Sequence, residues 1–141
     1  MIMSLISKIF GTRSDREIKK LYPLVEEINQ LSVQLKDKSD DELKHRTSEL
    51  KKDIIASRKE AEEKAKDQIS DKDEAKKFVL IAEQKKLDSI LPEAFAMVKE
   101  TCRRMCGSSW SVVGRELNWE MVPYDVQIIA GSYFTGAMLP R

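Results

Sequence analysis

Pro123-Tyr124-Asp125-Val126-Gln127-Ile128-Ile129-Ala130-Gly131 is the stretch on which the fold turns. Pro123 closes what precedes it, because its ring fixes φ and removes a backbone donor. Asp125 then caps a short helix over about 125–130, predicted from Val126 to Ala130. Immediately upstream, Trp110-Ser111-Val112-Val113 and Leu117-Asn118-Trp119-Glu120-Met121 are β-prone runs on either side of Gly114, and they predict a small β-hairpin at about 109–121.

Everything before the hairpin reads as helix. Asp88 or Ser89 precedes Leu91-Pro92, and proline suits a first helical turn. This predicts a helix at about 92–106, with Phe95, Ala96, Val98, Cys102 and Met105 or Cys106 buried and Gly107 as its stop. Asp71 or Asp73 starts another helical stretch through Phe78, Ile81 and Ala82. Ser39-Asp40-Asp41-Glu42 is a capping box, in which the serine oxygen takes a free backbone N–H and the glutamate reaches back. Leu43, Thr47, Leu50, Ile54 and Ile55 follow on one side of that helix. From Arg58 to Gln68 only alanines supply an apolar stripe, so a solvated helix with i,i+4 charge pairs such as Glu60 with Lys64 is expected. Ser14 and Asp15 cap a helix carrying Ile18, Leu21, Val25, Ile28, Leu31 and Leu35 at three- and four-residue spacing. Pro23 inside that run predicts a kink or restart near Tyr22. The fold class is mainly α, with long N-terminal helices.

Composition agrees. Charged residues make up 35% and aromatic residues only 6% of the 141, which suits long exposed helices better than a large core. A formal net charge of +1 gives no field for a polyanion, so no nucleic acid partner is expected. Cys102 and Cys106 stand four apart with no second ligand pair, and His45 is remote, so they read as thiols in a reducing compartment. No apolar run reaches the roughly 20 residues of a membrane span. At the N-terminus Ile2, Leu5, Ile6 and Ile9 share one helical face beside Lys8, Arg13 and Arg16. Two readings of it stand side by side: an amphipathic segment that lies in a membrane interface or docks on a partner, and an end that covers the domain.

These residues resemble the N-terminal part of the SecA family, the ATPases that drive preproteins through the bacterial SecYEG channel. The match is carried by Ile9-Phe10-Gly11 with Asp15-Arg16, Val25 with Ile28-Asn29, and Leu35 with Ser39-Asp40-Asp41-Glu42-Leu43. It continues in Leu91-Pro92-Glu93-Ala94-Phe95-Ala96 with Val98, Glu100 and Arg104, and in Asp125-Val126-Gln127. The resemblance implies that residues 1–87 are a helical segment wrapping the motor domain, and that 88–131 begin nucleotide-binding domain 1 as the incomplete edge of a P-loop α/β nucleotide-binding domain. It implies that Gln127 reads the adenine edge, since an amide donates and accepts together, and that Met121 and Tyr124 line the base pocket. From residue chemistry alone, the competing reading is that Gln127 caps or packs a short helix. ATP and Mg²⁺ are implied for the full-length relatives. The implied partners are the SecYEG channel, preproteins, anionic phospholipids and a second copy in a homodimer. The implied location is the cytoplasm, with peripheral association at the inner membrane. A second reading of the whole chain is a non-enzymatic membrane- or partner-binding helical module.

The family pattern after Gly131 runs through Leu-His-x-Gly to a Gly-x-Gly-Lys-Thr phosphate loop, and Ser132 to Arg141 departs from it. Read from the third base of the Gly131 codon, permitted codons for 131–141 spell Ile-Leu-Leu-His-Arg-Gly-Asp-Val-Ala-Glu, so residues 132–141 are expected to be a frameshifted tail outside the family. Without the phosphate loop, these residues by themselves are expected to bind ATP weakly or not at all, and not to hydrolyse it. Phe95, Val98, Ile128 and Ile129 are expected to lack the sheet they pack on, which predicts a poorly packed, aggregation-prone chain.

Overall fold

The computed structural model describes residues 13–135, with side chains from residue 18 onward. The amphipathic face of Ile2, Leu5, Ile6 and Ile9 lies outside the described residues, as does the tail beyond Thr135. The chain is mainly α, as its sequence predicts: α1 (Arg13–Gln34), a 3-10 turn (Leu35–Asp37), α2 (Asp40–Gln68), α3 (Lys72–Met105), a hairpin of β1 (Ser109–Val112) and β2 (Arg115–Asn118), and α4 (Asp125–Phe134).

α1 buries Leu21, Val25 and Ile28. It runs unbroken through Pro23, where a kink or restart was expected. The proline and Lys19, whose carbonyl loses its helical donor, are both exposed, so the missing bond falls on the solvent side of the helix. The capping box at α2 is complete: Ser39 Oγ accepts from the Glu42 N–H at 3.2 Å, and Glu42 Oε2 accepts from the Ser39 N–H at 2.7 Å. Glu60 and Lys64 pair at 2.6 Å.

α2 and α3 form an antiparallel hairpin. Arg46 meets Glu93, Asp53 meets Lys86 and Arg58 meets Glu83, so positions rise along one helix as they fall along the other. Arg46 grips Glu93 with both ends of its guanidinium, at 2.6 and 2.9 Å. The section expected to be solvated is half covered, because Ala61 and Ala65 are buried against α3. Small side chains let two helix backbones close on each other where no large apolar residue is available. On α3, Phe78 and Ile81 remain exposed.

The helix expected at about 92–106 is present as the second half of the single 34-residue helix α3. Pro92 is therefore an interior proline and not a first-turn one. Its ring is buried beside the end of α1, in a group that includes Leu31 and Leu35, while Asp88, whose carbonyl it releases, is exposed. The expected buried face is also displaced. Leu91, Ala96, Met97 and Glu100 are buried, while Val98 is 55% exposed, Met105 sits at the surface and Cys106 is exposed. The reason is that α3 is held from two sides. Ala96 packs with Val25, Ile28 and Ile128, whereas its neighbour Met97 packs with Leu43 and Leu50 of α2. A single-stripe pattern does not anticipate two partners.

Gly107 (φ 87°) ends α3, and the hairpin pairs Trp110 with Leu117 and Val112 with Arg115. Its two-residue turn, Val113-Gly114, has positive φ at both positions (52° and 74°), the mirror-image turn that matches strand twist. Val113 is strained there, because a β-branched side chain rarely adopts that region. The Trp119 ring, 6.1 Å from that of Trp110, ties the hairpin back to α3 by donating its indole N–H to the Cys102 carbonyl at 3.1 Å.

α4 continues to Phe134, four residues past the expected end. Ser132 is fully buried and donates its hydroxyl to the Ile128 carbonyl at 2.9 Å. Gly131 lies against Phe95 so closely that a Cβ there would stand 2.9 Å from the ring. Phe95, Ile128 and Ile129, expected to lack a partner, pack with α1 in the main core; Val98 alone of the four stays exposed.

Candidate base-binding site

Met121, Tyr124 and Gln127 all lie at the approach to α4. Met121 is in the link after β2 and is half exposed; Tyr124 is the residue before the helix and is 73% exposed. Gln127 is the third residue of the helix and is exposed. Tyr124 has extended backbone (φ −77°, ψ 158°), so its amide has no helical partner, and Gln127 Oε1 accepts from it at 2.9 Å. This is the capping role that residue chemistry alone suggested for Gln127. It uses one lone pair only. The second lone pair of Oε1 remains, and Gln127 Nε2 makes no hydrogen bond among the described residues. Tyr124 also lines an open groove of about 580 Å³ with Lys99, Val122, Pro123, Asp125 and Val126. Met121 and Gln127 are not among the residues lining that groove. A hydrogen bond links Tyr124 with Gln127, and Met121 lies in the link between β2 and α4.

Two polar groups hold this region in place. In the first, Lys99 Nζ donates to Asn29 Oδ1 at 2.5 Å and pairs with Asp125 Oδ1 at 3.4 Å, while Asn29 Nδ2 donates to the same Asp125 oxygen at 3.1 Å. It joins α1, α3 and α4. Asn29 and Asp125 stood in the motif match, but sequence reasoning gave Lys99 no role; nothing in its local spacing marks it. In the second, Glu100 is fully buried and accepts from Arg103 (2.8 and 2.7 Å) and from Arg104 (2.8 Å). Arg104 goes on to Asp40 at 2.6 Å and to the carbonyls of Leu35 and Lys38 at 2.9 and 2.6 Å. The Arg103 hydrogen bonds, against burial and together with Arg104, hold the Glu100 carboxyl down to about 2. Arg104 is correspondingly raised, first by Glu100 and then by Asp40. Glu100 and Arg104 both belong to the motif, and their role here is to fasten the start of α2 to α3.

Among the described residues no three His, Cys, Asp or Glu side chains come together to hold a metal ion. Cys102 and Cys106 are free thiols, and burial pushes the Cys102 thiol up. No helix among the described residues is long and apolar enough to cross a membrane.

The SecA DEAD-like domain family model matches residues 6–139, nearly the whole chain and including 132–139. The protein translocase subunit SecA of Prosthecochloris aestuarii is 39% identical over 147 residues, covering 92% of this chain and 14% of that protein. The subunit of Chloroherpeton thalassium is 40% identical with the same coverage. That of Salinibacter ruber is 37% identical over 160 residues, covering 88% of this chain and 14% of its own length. The chain thus spans about a seventh of the length of these relatives. No solved structure matches it. By its match along residues 6–139 and its identity to these subunits, the chain belongs to the SecA family.

Proposed function

We propose that the chain is the N-terminal part of an ATP-driven preprotein translocase motor of the Sec pathway, and that it supplies the adenine-reading edge of the motor's nucleotide site. In this reading residues 1–87 are the helical segment that wraps the motor, and 88–131 begin nucleotide-binding domain 1. Gln127 reads the base, with Tyr124 and Met121 beside it. The motor works in the cytoplasm and at the inner membrane, on preproteins, the SecYEG channel and anionic phospholipids, with a homodimeric partner.

The observation that carries the reading is the half-used amide of Gln127. Adenine presents a donor amine beside a ring acceptor, and a carboxamide with a free lone pair and free N–H groups matches both. Guanine presents two acceptors on that edge and would leave Oε1 facing an oxygen. The bond to Tyr124 holds the amide plane steady, which lowers the entropic cost of engaging the base. Phosphate binding, Mg²⁺ and hydrolysis belong to the phosphate-loop segment of the family, so residues 1–141 alone contribute a base contact and no turnover.

The test is saturation-transfer NMR on the purified chain with AMP and GMP at millimolar concentration. AMP is expected to receive transfer and GMP not, and Gln127→Ala is expected to weaken AMP binding about fivefold, the worth of one hydrogen bond. Equal transfer to both nucleotides, unchanged in Gln127→Ala, would contradict the reading.

A further inference from the structure

We propose that Lys99, acting with Asn29 and Asp125, is a positioning residue for Gln127, and that it couples recognition of an adenine base to the seating of α1. The inference rests on the base-reading role of Gln127 and adds the device that sets its angle.

The geometry is a closed ring of three contacts. Lys99 reaches Asn29 Oδ1 and Asp125 Oδ1, and Asn29 uses its other end on Asp125. Asp125 is the first residue of α4 and Gln127 the third. Ile128 and Ser132, both buried, anchor the helix along its inner side. A ten-residue helix held along one side can still roll, and a roll of α4 moves Gln127 directly. The carboxylate of Asp125 is the polar point that opposes that roll at the helix front. It is 57% exposed and is fixed by a lysine whose side chain is only 21% exposed. Lys99 also lines the groove that carries Tyr124 and Asp125, so the device stands beside the site. The apolar core beneath, Val25, Ile28, Ala96 and Ile128, contains none of the three residues. Loss of the ring therefore loosens the front of α4 while the fold persists. Because Asn29 belongs to α1, any displacement of α1 pulls on the same carboxylate.

The experiment compares the whole chain with Lys99→Met, which keeps the stem, and with Lys99→Arg, which keeps the charge. It reads Tyr124 amide hydrogen exchange without ligand and AMP affinity by NMR titration. In Lys99→Met, Tyr124 exchange is expected to rise about tenfold, as its bond to Gln127 Oε1 becomes intermittent, and AMP affinity to fall about fivefold. Exchange at Ser132, on the buried side of the same helix, is expected to hold, and Lys99→Arg to restore both readings. Unchanged Tyr124 exchange, or an equal rise at Tyr124 and Ser132, overturns the inference, the latter by showing a purely structural role. Changed exchange with unaltered AMP affinity overturns the coupling to base recognition. An unaltered chain with no response to AMP sinks the base-reading role itself, while the ligand-free exchange still decides whether Lys99 holds Gln127.

Discussion

Helices α2 and α4 begin in the same way and are finished differently. Each is preceded by a residue in extended backbone whose amide is taken, three positions on, by a side-chain oxygen: Glu42 for Ser39 and Gln127 for Tyr124. At α2 the bond is returned, since Ser39 Oγ accepts from the Glu42 N–H, and Arg104 clamps the preceding carbonyls and Asp40 from outside. Hydrogen bonds and the Lys38 pair hold the Glu42 carboxyl below its usual range. At α4 no side chain returns the bond: the Gln127 backbone N–H donates instead to the Tyr124 backbone carbonyl, at 2.9 Å. The amide of Gln127 is left with donors and a lone pair to spare. One start is closed and serves the fold; the other is held but open. An open polar group on a fixed backbone is what a ligand needs.

The contrast can be broken first at the closed start. Replacing Glu100 with alanine leaves Arg104 and Arg103 without their buried carboxylate, and is expected to cost about 2–3 kcal/mol in urea denaturation. A loss under about 1 kcal/mol would mean that the latch does not hold α2 to α3. The same carboxylate predicts an acid dependence. Its folded value, about 2, lies below the reference value of 4.5, so its stabilisation is complete above pH 4.5 and is lost as pH falls towards 2. Thermal melts across that window should show the loss, and Glu100→Gln should flatten it. Next in size, Ser39→Ala removes the returned bond and is expected to cost about 1 kcal/mol. Smallest is Gln127→Ala, expected to change stability by no more than about 0.5 kcal/mol, since alanine's helix propensity offsets the lost cap. If Gln127→Ala destabilised as much as Ser39→Ala, the two starts would be equivalent and the comparison would fail.

Much of this was legible in the chain. The Ser39 box, the Gly107 stop and the Gly114 hairpin each rest on local chemistry, and each is in place. The capping role of Gln127 was one of the readings its residue chemistry allowed, and the hydrogen bond to the Tyr124 amide is in place. What escaped was decided by tertiary contact. Pro92 reads as a helix start, but its burial beside α1 keeps α3 continuous. Val98 reads as core, but Met97 takes the place, because α3 serves α1 and α2 on different faces. Glu100 and Lys99 carry no hydropathy signal: Lys99 is held by Asn29 and Asp125, 70 and 26 residues away, and Glu100 is fully buried although its partners Arg103 and Arg104 are its near neighbours on α3. The packing of Phe95 and Ile129 on α1 was missed for the same reason: their cover was sought in a sheet and comes from a helix some 65–100 residues earlier in the chain.

The most direct test of the open amide is the Gln127 side-chain NH₂ resonance itself, followed in the ¹⁵N-labelled chain as AMP is added. The account predicts a saturable shift of that resonance together with the Tyr124 amide, with no such shift for GMP and none at the Ser39 amide. A Gln127 resonance that stays fixed while AMP binds elsewhere, or that moves equally with GMP, would contradict it.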